Sequence, residues 1–284
     1  MAESLSHKFG QIIGNLLELT IQPSLESFAK SNNLYLDKKG VRQGRPGSKV
    51  SWKDLNSNIH DLDFVLEKGG SDTSIGTPVA FIEIAWRRYT KHSRNKAQEI
   101  QGAIEPLAEM YKHSSPFKGV ILAGEFTKGA LSQLTSLGFC VLYFPYKTVV
   151  SAFGTFGIDA SFDSLTPETE FRKKIDLYNE LGDKEAISME MVRLNKAAVD
   201  SFFATLRSSI NRQVDQILIL PLHGQQSQLN TVTDAISFLL SYSDKNAELP
   251  ILKYEIIIKY NNGDRIEGTF HERENAIQFL RDRG

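Results

Sequence analysis

Two apolar runs, Gly119 to Ala123 and Phe139 to Phe144, flank a short helix predicted over Thr127 to Leu137 and closed by Gly138. Strands with no polar alternation are buried on both faces, so they demand a sheet covered by helices on each side. The upstream segments extend that sheet. A helix is expected over Phe9 to Lys30, with Pro23 expected to break or kink it. Leu34 to Leu36 is a short strand candidate, and Gly40 to Lys49 reads as an exposed loop. Asp61 to Leu66 and Pro78 to Ala85 are strands joined by turn chemistry, hence a hairpin, and the apolar positions between Ser93 and Tyr111 keep a helical period. Helix, two antiparallel strands, helix, strand, helix, strand is the order of an α/β protein with a mixed sheet and helices on both faces.

Ser161 to Pro167 is a polar break, so residues 1–160 are expected to form the core and residues 161–284 a C-terminal α+β region. In that region Glu168 to Leu181, Ser188 to Asn211, Thr231 to Ser241 and Arg273 to Arg283 read as helices. Gln216 to Leu222 is a strand, and Tyr254 to Tyr260 is followed by a type I′ hairpin signal at Asn262 and Gly263, with Arg265 to Phe270 as the return strand.

With 284 residues, 41% hydrophobic, the chain can bury a full core. It has no apolar run of membrane-spanning length and no secretory apolar segment near its start, which predicts a cytoplasmic protein without a membrane partner. Cys140 lies in an apolar strand and reads as a core residue. The net charge of −1 argues against nucleic-acid binding through overall charge. The local distribution differs. Lys38 to Lys53 holds six basic residues and no acid, and Arg87 to Lys96 holds five and no acid, one cluster on each side of the hairpin.

Asp63 on one hairpin strand and Glu83 at the end of an apolar run on the other put two carboxylates side by side at a sheet edge. Neighbouring carboxylates in apolar surroundings repel and raise each other's pKa, and a divalent cation removes that penalty. Oxygen-only ligands suit Mg²⁺, with Mn²⁺ as a substitute, and the cation can share a substrate phosphate. Asp61 is an alternative to Asp63, since strand alternation sends both to one face. Phosphate-binding, dinucleotide-binding, nucleophile-elbow and Cys-x-x-Cys motifs are absent, and the six histidines show no zinc spacing; His60 and His92 lie near the hairpin.

From Phe9 to Phe144, about half of the chain, this order of elements and acids resembles the PD-(D/E)xK nucleases, the superfamily of many type II restriction endonucleases. The resemblance implies a restriction-endonuclease-like core that hydrolyses double-stranded DNA with Mg²⁺, with Asp63 and Glu83 as metal ligands and Glu18 as the helical acid. It also implies a C-terminal region for DNA recognition or dimerisation, and a homodimer to cut both strands. Ala85 occupies the position of the family's lysine. Lys96, taken first, Lys91 or Arg87 could replace it, although a guanidinium can only stabilise charge. Gln98 and Gln101 are candidates to orient the site or a phosphate. Arg42, Arg45, Lys49, Arg87, Arg88, Lys91, Arg94 and Gln98 are the expected DNA contacts.

Overall fold

The computed structural model describes residues 4–242 and 250–283. The chain forms two compact units, Met1–Met110 with Pro116–Thr205, and Tyr111–Ser115 with Leu206–Gly284. The expected boundary at 160 therefore moves to about 205. The reason is the buried face of the first helix, α1 (Leu5–Ser31), which α5 (Glu168–Glu180) and α6 (Glu185–Leu194) cover. Phe9 meets Phe171 with their rings tilted, and the Thr20 hydroxyl, bonded to the Leu16 carbonyl, reaches the Met191 sulfur. Ser4 caps α1, accepting from the His7 amide. The helix runs through Pro23 without ending there. Pro23 and Leu19, whose carbonyl loses its donor, are both exposed, so water can satisfy that carbonyl.

The first unit is a mixed α/β structure around a five-stranded sheet of order β1-β4-β5-β6-β7. β1 (Leu34–Lys38), β4 (Phe64–Lys68) and β5 (Thr77–Arg87) pair antiparallel, while β5, β6 (Phe117–Gly124) and β7 (Cys140–Pro145) run parallel. The expected hairpin is β4–β5, and β6 and β7 are the two apolar runs. The strand expected over Asp61 to Leu66 is divided at Asp63. Its first part, β3 (Ile59–Leu62), pairs with β2 (Val50–Lys53) in a separate ribbon, and its second part is β4. Trp52 of that ribbon packs on Phe81, on the sheet face opposite Ile82 and Trp86. α2 (Ser93–Met110) follows a short 3₁₀ turn and packs on α3 (Lys128–Ser136) and against β3 and β5. α4 (Tyr146–Gly154) packs on α6, β6 and β7. The helix expected over Ser188 to Asn211 is two, α6 and α7 (Lys196–Ile210), divided at Asn195, whose side-chain amide donates to the Tyr143 carbonyl at 2.9 Å.

The second unit is a fully antiparallel sheet of order β11-β10-β8-β9, built from β8 (Val214–Pro221), β9 (Ser227–Leu229), β10 (Tyr254–Tyr260) and β11 (Arg265–Phe270). α8 (Val232–Ser241) and α9 (Arg273–Arg281) share its core with Ile217, Ile219, Ile256 and Ile258. The β10–β11 hairpin is as expected, but its turn is not type I′. Gly263 has φ 90°, whereas Asn262 does not enter the positive region, and the Gly263 amide donates back to the Tyr260 carbonyl. That is an ordinary turn followed by a left-handed glycine, a longer hairpin loop. Among the described residues no helix is long and apolar enough to cross a membrane.

Candidate active site

Phe64 pairs with Ile82 across the β4–β5 hairpin, so the next step of the antiparallel ladder sets Asp63 opposite Glu83. The chain breaks its strand there for a local reason. The Asp63 side chain accepts the Ile84 amide at 2.6 Å, taking a donor that a continuous strand neighbour would have used. The Asp63 backbone amide in turn favours the charged form of Glu83. Glu83 is 7% exposed, and its Oε1 is buried with no hydrogen-bond partner among the described residues.

Burial pushes the Glu83 carboxyl up to about 8, the charge of Asp63 adds to that rise, and Lys96 opposes it. Burial likewise raises Asp63, against the Ile84 amide, Lys96 and Lys39. Glu18 is raised by burial and then by Asp63, with Lys39 opposing. These mutual effects put Glu18, Asp63, Glu83, Lys96 and Lys39 in one electrostatic neighbourhood. Among the described residues neither Asp63 nor Glu83 takes part in an ion pair: Lys96 lies 3.4 Å from Glu99 instead. Lys39 was missed in the sequence, where nothing separates it from the other basic residues of its run.

The pair fits a hard divalent cation as a two-carboxylate site. Its uncapped Oε1 is a ready ligand, and Mg²⁺ commonly takes one or two carboxylates and fills the rest of its shell with water. Among the described residues no three His, Cys, Asp or Glu side chains converge as a larger ligand cage. Asp61, the alternative ligand, instead accepts Lys49 at 2.6 Å and Ser51 at 2.6 Å on the surface. Asp61, Asp63 and Glu18 line a cleft of about 220 Å³ between α1 and the β2–β3 ribbon.

Two expected DNA contacts are corrected. Arg42 and Arg45 are each 5% exposed and closed into ion pairs with Glu67 and Asp37, so they face the interior of the loop. Arg88 is half-buried, its guanidinium stacked 4.0 Å from the Tyr146 ring and its Nε donating to the Phe162 carbonyl at 2.6 Å. Arg87 keeps a loose pair with Glu99 at 3.8 Å. Lys91, Arg94 and Gln98 are exposed around the start of α2, as is His92. Gln101 is turned to α3, bonded to Gln133 at 2.9 Å, and His60 is bonded to Asp54 at 3.0 Å. Those two bonds account for both side chains within the scaffold.

No protein-family model matches the chain, and no curated protein matches it significantly. Among solved structures it has a likeness to the protein of unknown function AF1548, at 11% identity over 66% of this chain and 99% of that one, with a TM-score of 0.26. A likeness at that level says nothing about function.

Proposed function

We propose that this protein is a metal-dependent endonuclease with a restriction-endonuclease-like core, hydrolysing DNA phosphodiester bonds. The observation that carries the reading is the buried pair Asp63 and Glu83, held together at the open end of a hairpin with, among the described residues, Glu83 Oε1 unsatisfied and no cation paired to either acid. Buried carboxylates without compensation cost several kcal/mol, on the order of 3 or more, so they persist where they have a task. Asp63 and Glu83 would hold Mg²⁺ or Mn²⁺, and a cation there supplies charge neutralisation at the phosphate and a more acidic water. Lys96 acts on both acids across the site, which makes it the candidate to replace the lysine that Ala85 displaces. Its ammonium offers three donors to a phosphate oxygen or to the attacking water. Glu18 borders Asp63 and can order water at the cleft.

The restriction-enzyme form of this proposal assigns the second unit to DNA recognition or dimerisation and a second copy of the chain to the opposite strand. The test is digestion of a long, sequence-diverse duplex with Mg²⁺ or Mn²⁺, comparing the wild type with Asp63→Asn and Glu83→Gln. Discrete fragments that vanish in both variants are expected. Wild-type protein that cuts no DNA with either ion, across duplex, flap and junction substrates, would leave a DNA-binding protein without catalysis.

A further inference from the structure

A second cleft, of about 490 Å³, begins where the acidic pair ends: Ile84 and Ala85, the residues after Glu83, form part of its wall, and Lys96 contributes to it as well. Its lining holds Arg87, Arg88 and Lys96 and not one Asp or Glu, in a chain whose net charge is −1. Three aromatic side chains, Trp86, Tyr89 and Phe162, share the wall with these cations. On the other side runs the α1 stripe of His7, Gln11 and Gly14 with Gly10 between them. Two of its features are open to a ligand. The space where a Gly14 side chain would stand holds no atom within 4 Å, and the Trp86 indole N–H, though close to Gly10, donates to no acceptor among the described residues.

Cations beside aromatic rings, with a free indole donor and no carboxylate in the wall, suit a ligand that is anionic along one edge and flat along another. Glu99, which Lys96 and Arg87 approach at 3.4 and 3.8 Å, stands outside that wall, and such exposed pairs hold loosely enough to be exchanged for a phosphate. A nucleotide has that form: its phosphate takes the cations and its base stacks on a ring. The cleft has the volume of about one nucleotide, too little for a base-paired duplex. We infer that it seats one unstacked nucleotide of a DNA strand next to the phosphate that water attacks beside the acids. The substrate then presents an unpaired nucleotide at the cut, at a flap or mismatch or turned out of the duplex. This rests on the endonuclease reading and adds what the site requires of its DNA.

The test separates the two. Binding of a short fluorescein-labelled single strand, and of the same strand in a duplex, is measured by anisotropy with Ca²⁺ in place of Mg²⁺, for wild type, Gly14→Leu and Trp86→Ala. The open space at Gly14 and the helical preference of leucine keep the first variant folded. The single strand is expected to bind the wild type more tightly than the duplex, and each variant to weaken it about tenfold, the value of one lost stacking contact. Equal affinity for the two DNA forms, or wild-type affinity in Gly14→Leu, overturns the inference. Cleavage in Mg²⁺ then tells which reading is at fault. Gly14→Leu that cuts paired duplex as the wild type does removes the nucleotide cleft and leaves the endonuclease. The expected binding pattern, with no cleavage under any divalent ion, removes the endonuclease and keeps a strand-binding cleft.

Discussion

The sheet of the first unit buries two pairs of carboxylates, and it treats them in opposite ways. Asp37 on β1 and Glu67 on β4 are 2% and 0% exposed, yet every charge is answered. Arg42 grips Glu67 with two nitrogens, at 2.6 and 3.0 Å, and lies 3.0 Å from Asp37. Arg45 holds Asp37 at 3.0 and 3.1 Å, and the Gly76 amide caps Glu67 at 2.6 Å. Two acids on the strands and two guanidiniums from the loop sum to zero within one cluster. Asp63 and Glu83, at the other end of the β4–β5 hairpin, have only backbone amides and the fields of Lys96 and Lys39. Burial alone therefore does not identify a site. A buried acid pair that carries its own counter-charges is a structural lock, and one that leaves an oxygen unsatisfied calls for another explanation, which the proposed function supplies as a cation from outside.

The largest expected effect comes from opening the lock. Arg42→Ala leaves Glu67 and Asp37 buried with one guanidinium between them, and should cost about 3–5 kcal/mol in urea unfolding. A loss under about 1 kcal/mol would mean that the loop relaxes and lets water in, which erases the contrast with the open pair.

The open pair should answer to pH instead. The Glu83 carboxyl is raised from its ordinary 4.5 to about 8, so the native state holds a proton that the unfolded chain has released. Its contribution is fully present below the unfolded value and is lost as pH rises through the folded one. In EDTA, stability should fall by about 1.4 kcal/mol per pH unit at its steepest, between roughly pH 5 and pH 8. Glu83→Gln should flatten that slope. A wild-type curve that is already flat would mean that Glu83 has found a partner in solution. Mg²⁺ should offset the loss at the alkaline end, adding about 2.7 kcal/mol at a hundredfold excess over its Kd. The same variant should lose the Mg²⁺ effect and more than about 100-fold in cleavage rate together. Loss of cleavage with the Mg²⁺ stabilisation intact would put the cation elsewhere.

Much of this fold can be read from periodicity. The apolar β6 and β7, the hairpin and α2 stand within a few residues of where their patterns put them, because strands and helices with one or two buried faces are strongly specified. Asp63 and Glu83 were legible for the same reason: a hairpin register brings its acids together. What periodicity does not carry is long-range pairing. Nothing local distinguishes Arg42 and Arg45, which fold back onto Glu67 and Asp37, from Lys91 and Arg94, which stay in water. The division of the strand at Asp63 depends on an amide twenty-one residues away, and the place of α5 and α6 depends on which face of α1 remained uncovered.

The two basic runs supply the smallest and most discriminating prediction. Both are basic and free of acids in sequence, but in the first run both arginines are committed, and Lys49 spends its charge on Asp61 at 2.6 Å on the surface. In the second run Lys91 and Arg94 are exposed and form no ion pair among the described residues. Each cation that meets a phosphate releases counterions, so its removal lowers the slope of log K against log salt by about 0.9. Lys91→Ala with Arg94→Ala should flatten the salt dependence of duplex binding by about two such steps. Lys49→Ala should leave both the slope and the unfolding midpoint at wild-type values, because an exposed pair holds little and its lysine is already engaged. A flattened slope in Lys49→Ala would return the first loop to the DNA surface and make its buried arginines the support of a contact, not a lock alone.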